Sequence, residues 1–134
     1  MCIIIDGYNL LHACQDLLPE FRDILSVEAK EKLLDILAHY AELKDRSITV
    51  VFDGAHSDGP YCNRHYYKRL QLLFTAPYDA DSVIISLIWS YRKKNKRLFI
   101  ISSDRKIREA AVSEGVAVLK SHSFIETILE DIPK

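Results

Sequence analysis

The hydrophobic and polar positions along the chain predict strands that alternate with helices. Short apolar or β-branched runs, typical of buried strands, occupy residues 2–5, 47–52, 69–75, 97–102 and 116–119. Helical periodicity covers residues 26–43, 80–94, 104–114 and a last segment that begins at Ser123. Strands that are joined through helices run parallel, so we expect an α/β fold with a mostly parallel sheet of about five strands.

Two local signals predict where helices end and begin. Gly115 follows the segment 104–114, as glycine commonly does just past a helix end. Ser123 and Glu126 form a Ser-x-x-Glu capping box at the start of the last helix. No repeat, low-complexity segment or Pro/Gly-rich linker interrupts the pattern, so we expect a single domain over residues 1–134.

Polar residues follow four of the predicted strands. Ligands of open parallel sheets bind beyond the carboxyl ends of the strands, which meet at one edge. The residues in this position are Asp6, Asp53, Asp79, Asp81, Ser103 and Asp104. Carboxylates that converge on one edge repel each other unless a cation or a proton lies between them. Oxygen ligands favour Mg²⁺ or Mn²⁺ over zinc, so the pattern indicates a divalent-metal site.

Each acid also has a purely structural interpretation. The sequences Asp6-Gly7 and Asp53-Gly54 are typical of tight turns. Asp81 and Asp104 are suitable N-caps for the helices that follow them. For any single acid, the structural explanation is as plausible as a metal site. Together these explanations do not account for carboxylates at four strand ends on one edge.

Composition limits the kind of protein this is. The chain has 134 residues, of which 49% are hydrophobic and 28% charged, as in a folded domain and unlike a disordered chain. The longest mostly apolar run, residues 82–91, is too short to span a bilayer, and we expect no membrane association. Three cysteines without a Cys-x-x-Cys pair, Cys2, Cys14 and Cys62, predict reduced thiols and a cytoplasmic protein.

The net charge of −1 conceals an uneven distribution along the chain. Residues 1–60 carry a net charge of −6 and residues 61–134 a net charge of +5. Residues 61–108 hold 11 basic residues and three acids, Asp79, Asp81 and Asp104. A basic surface can bind a polyanion, which isolated acids would repel. These acids therefore suggest a shared role such as holding a metal ion.

Four segments of the chain resemble the YacP-like NYN domains of the PIN-like nuclease superfamily. They are IIIDGYNLLHA (3–13), VVFDGAH (50–56), FTAPYDADSVI (74–84) and IISSDRKIREAA (100–111), in the order of the family. The resemblance implies a three-layer α/β/α fold and Mg²⁺- or Mn²⁺-dependent cleavage of RNA in an endoribonuclease reaction. The resemblance also implies association with ribosomes, an expectation that no residue of the chain specifies by itself.

The same resemblance implies roles for individual residues. Asp6, Asp81 and Asp104 would be the catalytic metal ligands, with Asp79 as a further ligand. Asn9 would orient the site by hydrogen bonds, and Ser103 and Asp53 would support it.

One position departs from the family pattern. Similar proteins often carry an acid four residues after the aspartate that corresponds to Asp81, where this chain has Ile85. This change leaves open whether one or two metal ions bind.

Basic and aromatic residues are candidate RNA contacts. Residues 64–69 (RHYYKR) interleave cations with aromatic rings, a pattern that can pair phosphates and stack unpaired bases, although an ordinary loop entering a strand is also plausible. Cations beside Asp104 oppose the helix dipole, which makes a purely structural role less favourable. The predicted RNA-binding residues are Arg64, Lys68, Arg69, Arg105, Lys106, Arg108 and Tyr8.

Two other functions compete with a nuclease. Loss of the acid at position 85 favours a catalytically weakened PIN-like RNA-binding module. A phosphatase of the haloacid dehalogenase type also uses strand-end aspartates, but it needs a second aspartate two residues after the first, where this chain has Tyr8. The sequence therefore favours the metal-dependent nuclease, without naming its RNA, its cleavage site or its oligomeric state.

Overall fold

The computed structural model describes residues 2–23, 26–54, 63–76 and 78–131. These residues form six strands: β1 (Cys2–Asp6), β2 (Ser47–Phe52), β3 (Asn63–Tyr67), β4 (Leu70–Phe74), β5 (Leu98–Ile101) and β6 (Ala117–Leu119). They also form five helices: α1 (Gly7–Leu17), α2 (Val27–Lys44), α3 (Ala80–Lys93), α4 (Arg105–Ser113) and α5 (Ser121–Asp131).

The six strands build one mixed sheet in the order β3-β4-β2-β1-β5-β6. All neighbouring strands run parallel except β3 and β4, which pair antiparallel. The expected α/β fold with a mostly parallel sheet is therefore confirmed. The strand that the sequence analysis did not predict is β3, and it adds a sixth strand at one edge.

Helices cover both faces of the sheet, because successive strand residues point to opposite sides. Ile3 and Ile5 face a core shared with α1, α2 and α5, whereas Ile4 faces a second core shared with α3 and α4. The three α/β/α layers implied by the resemblance are therefore confirmed.

The ends of several helices differ from the sequence-based prediction. The last helix begins at Ser121, so the predicted capping box of Ser123 and Glu126 lies inside it. The backbone amide of Ser121 instead donates to the hydroxyl of Ser103, 3.1 Å away, and this tertiary hydrogen bond satisfies an N–H group at the start of the helix. Helix α3 begins at Ala80, so Asp79 and not Asp81 holds the N-cap position.

Other local predictions agree with the structure. Asp104 caps α4 by accepting from the amide of Ile107, as predicted. Ser26, which the sequence analysis did not identify as a cap, caps α2 by accepting from the amide of Ala29. Gly115 follows α4 with a φ of 68°, a left-handed conformation that glycine adopts without strain. Cys2 and Cys14 are free thiols, and Cys62 lies outside the described residues. None of the helices in the described ranges has the length and apolar character needed to cross a membrane.

Candidate active site

The parallel pairing brings the carboxyl ends of β4, β2, β1 and β5 to the same edge of the sheet. We call this the acidic edge. It consists of the strand ends and the carboxylates that follow them, Asp6, Asp53, Asp79, Asp81 and Asp104. The exposure of these side chains differs: Asp53 and Asp79 are exposed, whereas the other three are half-buried. The site is therefore assembled by residues from four separate parts of the chain.

Asp6 ends β1 at the centre of this edge. The pKa of its carboxyl is raised from 3.8 to about 6, mainly by burial and to a smaller extent by the nearby charges of Asp104 and Asp53. The backbone amide of Asn9 and the hydroxyl of Ser102 act in the opposite direction. The net result is a carboxylate that is costly to ionise unless a positive charge approaches it.

Ser102 connects Asp6 to Asp104. This fully buried residue donates its hydroxyl to Asp6 Oδ2 at 3.2 Å and accepts from the Asp104 amide at 3.0 Å. Asp104 is in turn held by its capping bond from the Ile107 amide, at 3.2 Å. The structural interpretation of Asp104 as a helix cap is correct, and the cap itself orients the carboxyl group at the acidic edge.

Asn9 lies one helical turn after Asp6 and joins three elements. Its Oδ1 accepts from the Ser103 amide at 2.9 Å and from the Ser121 hydroxyl at 2.6 Å. Ser103 completes the network, because its hydroxyl accepts from the Ser121 amide. The network fixes the loop that carries Asp104 against α1 and α5. These contacts are those expected of a residue that orients the site by hydrogen bonds.

Asp81 lies in the first turn of α3, and its contacts differ from those of Asp6 and Asp104. Its Oδ1 accepts from the Ser82 amide at 3.0 Å, and Lys106 Nζ lies 3.5 Å from its Oδ2. Among the described residues, no group of three or more His, Cys, Asp or Glu side chains is arranged to hold a metal ion. Asp6, Asp81 and Asp104 thus share an edge without forming a closed ligand set.

The donor chemistry of this edge fits a hard divalent cation. Its candidate ligands are carboxylate oxygens, and the raised pKa of Asp6 reflects burial together with the repulsion of Asp104 and Asp53. A cation would remove that repulsion. The residues that would hold it are Asp6, Asp104 and Asp81.

The predicted RNA-binding residues fall into two groups. Arg105, Lys106 and Arg108 lie in the first turns of α4, next to Asp104 at the acidic edge. Arg105 is exposed and pairs with Glu109 on the same helix at 2.9 Å. These three cations are therefore positioned beside the candidate ligands.

Residues 64–69 belong to a β-hairpin and do not form a loop that enters a strand. They make up most of β3 and the turn between β3 and β4. Lys68 and Arg69 form this turn, at the end of β4 that lies opposite the acidic edge. They pair with Asp35 at 2.8 Å and with Asp45 at 3.0 Å. The structure does not bring these two cations to the acids. Strand β3 runs antiparallel to β4, so the turn that joins them lies at the end of the sheet opposite the acidic edge. Arg64 belongs to β3, and its side chain lies outside the described part of the chain.

Tyr8 is a packed aromatic at the acidic edge. Its ring meets Phe52 edge-to-face, with centroids 5.4 Å apart, and Lys30 Nζ lies 5.1 Å from the Tyr8 centroid. Gly7 allows this close packing, because a Cβ there would lie 2.5 Å from the Phe52 ring. Tyr8 is half-buried, so part of this residue stays accessible to solvent.

Sequence reasoning missed three polar residues of this region: Ser102, Ser121 and Lys30. Ser102 had a signal, since it is the last residue of the predicted strand 97–102 and lies two residues before Asp104. Ser121 lies 112 residues after Asn9, and Lys30 belongs to a separate helix. Nothing local in the sequence connects either residue to the site.

Comparison with known proteins agrees with this fold. The sequence matches the family model of the YacP-like NYN domain over residues 3–133. The fold is PIN-like, in a class of nuclease-type proteins. Within that class, the chain belongs to the YacP-like NYN domain family.

Two solved structures of Rae1 (YacP) from Bacillus subtilis share the fold. The structure of a mutant form has 21% sequence identity and a TM-score of 0.76, and the match covers 96% of this chain and 75% of that one. The other structure has 20% identity and the same TM-score of 0.76, covering 97% of this chain and 74% of that one. No curated protein sequence matches the chain.

Proposed function

We propose that the protein is a divalent-metal-dependent endoribonuclease that hydrolyses RNA phosphodiester bonds at the acidic edge. The observation that carries this proposal is the meeting of four parallel strand ends, at which Asp6 has a pKa raised to about 6 beside Asp104 and Asp53. Membership of a nuclease-type family supports the same chemistry. The proposed cofactor is Mg²⁺ or Mn²⁺, with Asp6, Asp81 and Asp104 as ligands and Asp79 as a further candidate.

A bound divalent ion would supply Lewis-acid activation of the phosphodiester and of an attacking water molecule. The residues of the chain prepare the site for it. Ser102 keeps Asp6 and Asp104 in a fixed relation, and Asn9 holds the loop before α4. Arg105 and Arg108 supply positive charge for the RNA backbone next to these acids. Tyr8 offers a ring on which an unpaired base can stack.

The test is cleavage of a labelled single-stranded RNA by purified protein. We expect cleavage with Mn²⁺ or Mg²⁺, none with EDTA, and loss of most activity in Asp6→Asn and Asp104→Asn, which remove negative charge from the proposed ligand set. Asp45→Asn is the matched control, because Asp45 is an exposed aspartate that pairs with Arg69 far from the acidic edge. Full activity of Asp6→Asn, in a preparation free of contaminating nuclease, would show that the proposed mechanism is wrong.

A second candidate is a PIN-like module that binds RNA without cleaving it. Two observations favour it: Ile85 replaces an acid common in similar proteins, and the described residues form no closed metal-ligand group. RNA binding that weakens with salt, combined with no cleavage under any metal condition, would identify this alternative. Cleavage that disappears with EDTA and in Asp6→Asn would exclude it.

The cellular setting is a separate part of the proposal. We place the protein in the cytoplasm, on the basis of its unpaired cysteines and the family. Association with ribosomes stays a prediction from the family resemblance. Its test is sedimentation of a tagged protein with ribosomes in a sucrose gradient, at low and high salt.

A further inference from the structure

The described residues include one cation in direct contact with a candidate metal ligand. Lys106 Nζ lies 3.5 Å from Asp81 Oδ2, across the space between the first turns of α4 and α3. We infer that Lys106 is a built-in competitor for the divalent cation: it neutralises Asp81 in the metal-free protein and has to release it when the ion binds. This inference rests on the proposed metal site.

The two partners differ in their freedom to move. The Lys106 side chain is 75% exposed, whereas the Asp81 side chain is 25% exposed and also accepts from the Ser82 amide. Lysine carries its charge on a flexible stem and can withdraw into water. Release therefore requires movement of Lys106 and little change in the position of Asp81.

Helix energetics give no reason for a cation at this position. Lys106 lies in the first turn of α4, where the helix dipole disfavours positive charge. Its neighbour Arg105 is in the same turn, but Arg105 pairs with Glu109 of its own helix at 2.9 Å. Lys106 instead reaches across to α3. The contact accounts for a charge that the helix alone would select against.

The three candidate ligands are held in two different ways. Asp6 and Asp104 are linked through Ser102, while the third acid, Asp81, is neutralised by the lysine. With Ile85 in place of an acid, α3 offers Asp81 alone at this turn. One ammonium group is therefore enough to compete for the carboxylate that α3 provides.

The experiment is calorimetric titration with Mn²⁺ of five proteins, at fixed pH and ionic strength. They are wild type, Lys106→Met, Arg105→Met, Asp81→Asn and the double variant Lys106→Met with Asp81→Asn, for which Asp81→Asn is the reference. Methionine keeps a flexible, unbranched apolar side chain and removes the charge. Arg105→Met removes the same charge from the same helical turn without touching Asp81. Arg105 and Lys106 are exposed and Asp81 is half-buried, and circular dichroism checks that each variant is folded.

We expect Lys106→Met to bind Mn²⁺ roughly threefold to tenfold more tightly than wild type. An exposed ion pair contributes up to about 1 kcal/mol, and metal binding gains this amount when lysine no longer competes for Asp81. The lysine charge also no longer repels the incoming metal ion. Arg105→Met should tighten binding by less than about twofold. The double variant should bind Mn²⁺ no more tightly than Asp81→Asn, because Asp81 is the group that is released.

Three results would overturn the inference while leaving the metal site intact. They are equal Mn²⁺ affinity in wild type and Lys106→Met, equal tightening in Arg105→Met, and a gain that persists without the Asp81 carboxylate. Failure of every variant to bind Mn²⁺ is a different result. It would reject the proposed cofactor and the competition together.

Discussion

At the scale of single residues, the acidic edge contains groups in energetically unfavourable positions. Asp6 is half-buried next to other acids, and hydrogen bonds of Ser102, Asn9 and Ser121 hold the site together. Such an arrangement is typical of functional sites, where groups are kept in unfavourable environments. Its energetic cost can be measured in the absence of any ligand.

Asp6→Asn should stabilise the metal-free protein, and the gain should depend on pH. The folded-state pKa of about 6 lies above the ordinary 3.8, so the folded protein binds the proton more tightly than the unfolded chain does. Wild-type stability contributed by this group is therefore lost as the pH rises from about 4 to 6. We expect the variant to be more stable by roughly 1–3 kcal/mol above pH 7 and by little at pH 4.

Urea denaturation in EDTA between pH 4 and pH 8 measures this difference. Asp45→Asn is the control, because Asp45 is exposed and has a left-handed backbone conformation that asparagine also adopts. A stability difference for Asp6→Asn that does not change with pH would contradict the assigned cause.

Ser121→Ala tests the network around Asn9. The substitution removes the 2.6 Å hydrogen bond to Asn9 Oδ1 and leaves the backbone bond to Ser103. We expect a loss of about 1 kcal/mol in the free energy of unfolding, as is usual for one buried hydrogen bond. Ser123→Ala, an exposed site on the same helix, should change stability by less than about 0.5 kcal/mol. Equal losses from both variants would show that the network contributes nothing specific.

At the scale of elements, α3 decides how many acids face the site. Ile85 follows Asp81 by four residues, one turn along the same face. It is half-buried, and within the described part of the chain it belongs to neither core cluster. We therefore expect a carboxylate at position 85 to reach the acidic edge.

Ile85→Glu should tighten Mn²⁺ binding with little loss of stability. A further carboxylate raises the number and charge of oxygen ligands, on which the affinity of hard cations depends. Calorimetry measures the affinity, and thermal denaturation measures the stability. Ile85→Gln is the matched control, with a similar shape and no charge. A variant that is destabilised by several kcal/mol without tighter binding would show that position 85 faces the core.

At the scale of the whole molecule, the positive charges lie at two ends of the sheet. Arg105 and Arg108 are at the acidic edge, whereas Lys93 and Lys94 lie at the end of α3, far from it. Lys68 lies at that far end too, in the turn of the hairpin. RNA that reaches the acids would therefore contact Arg105 and Arg108 and not Lys93, Lys94 or Lys68.

Arg105→Ala with Arg108→Ala should weaken RNA binding and reduce its salt dependence. Each phosphate contact to a single strand contributes about 0.7 to the slope of log K against log salt, so loss of two contacts should flatten the slope by about 1.4. Fluorescence anisotropy with a short single-stranded RNA measures both quantities. The control pair, Lys93→Ala with Lys94→Ala, should have a smaller effect. Equal effects of the two pairs would refute binding at the acidic edge.

The sequence by itself determined the features that depend on near neighbours along the chain. Hydrophobic periodicity, the cap at Asp104 and the glycine at position 115 arise from contacts within a few residues, so they can be predicted locally. The parallel sheet follows from the alternation of strands and helices. The rule for strand ends then predicted that Asp6 and Asp104 lie on one edge without any coordinates.

The tertiary structure alone decided what distant residues do to each other. Strand β3 escaped prediction because NRHYY (63–67) has few aliphatic residues and no clear alternation, and its pairing with β4 defines it. The turn of that hairpin placed Lys68 away from the acids. The bond from Ser121 to Asn9 and the contact of Lys106 with Asp81 join residues 112 and 25 positions apart. Such contacts follow from packing of elements against each other, which no local pattern encodes.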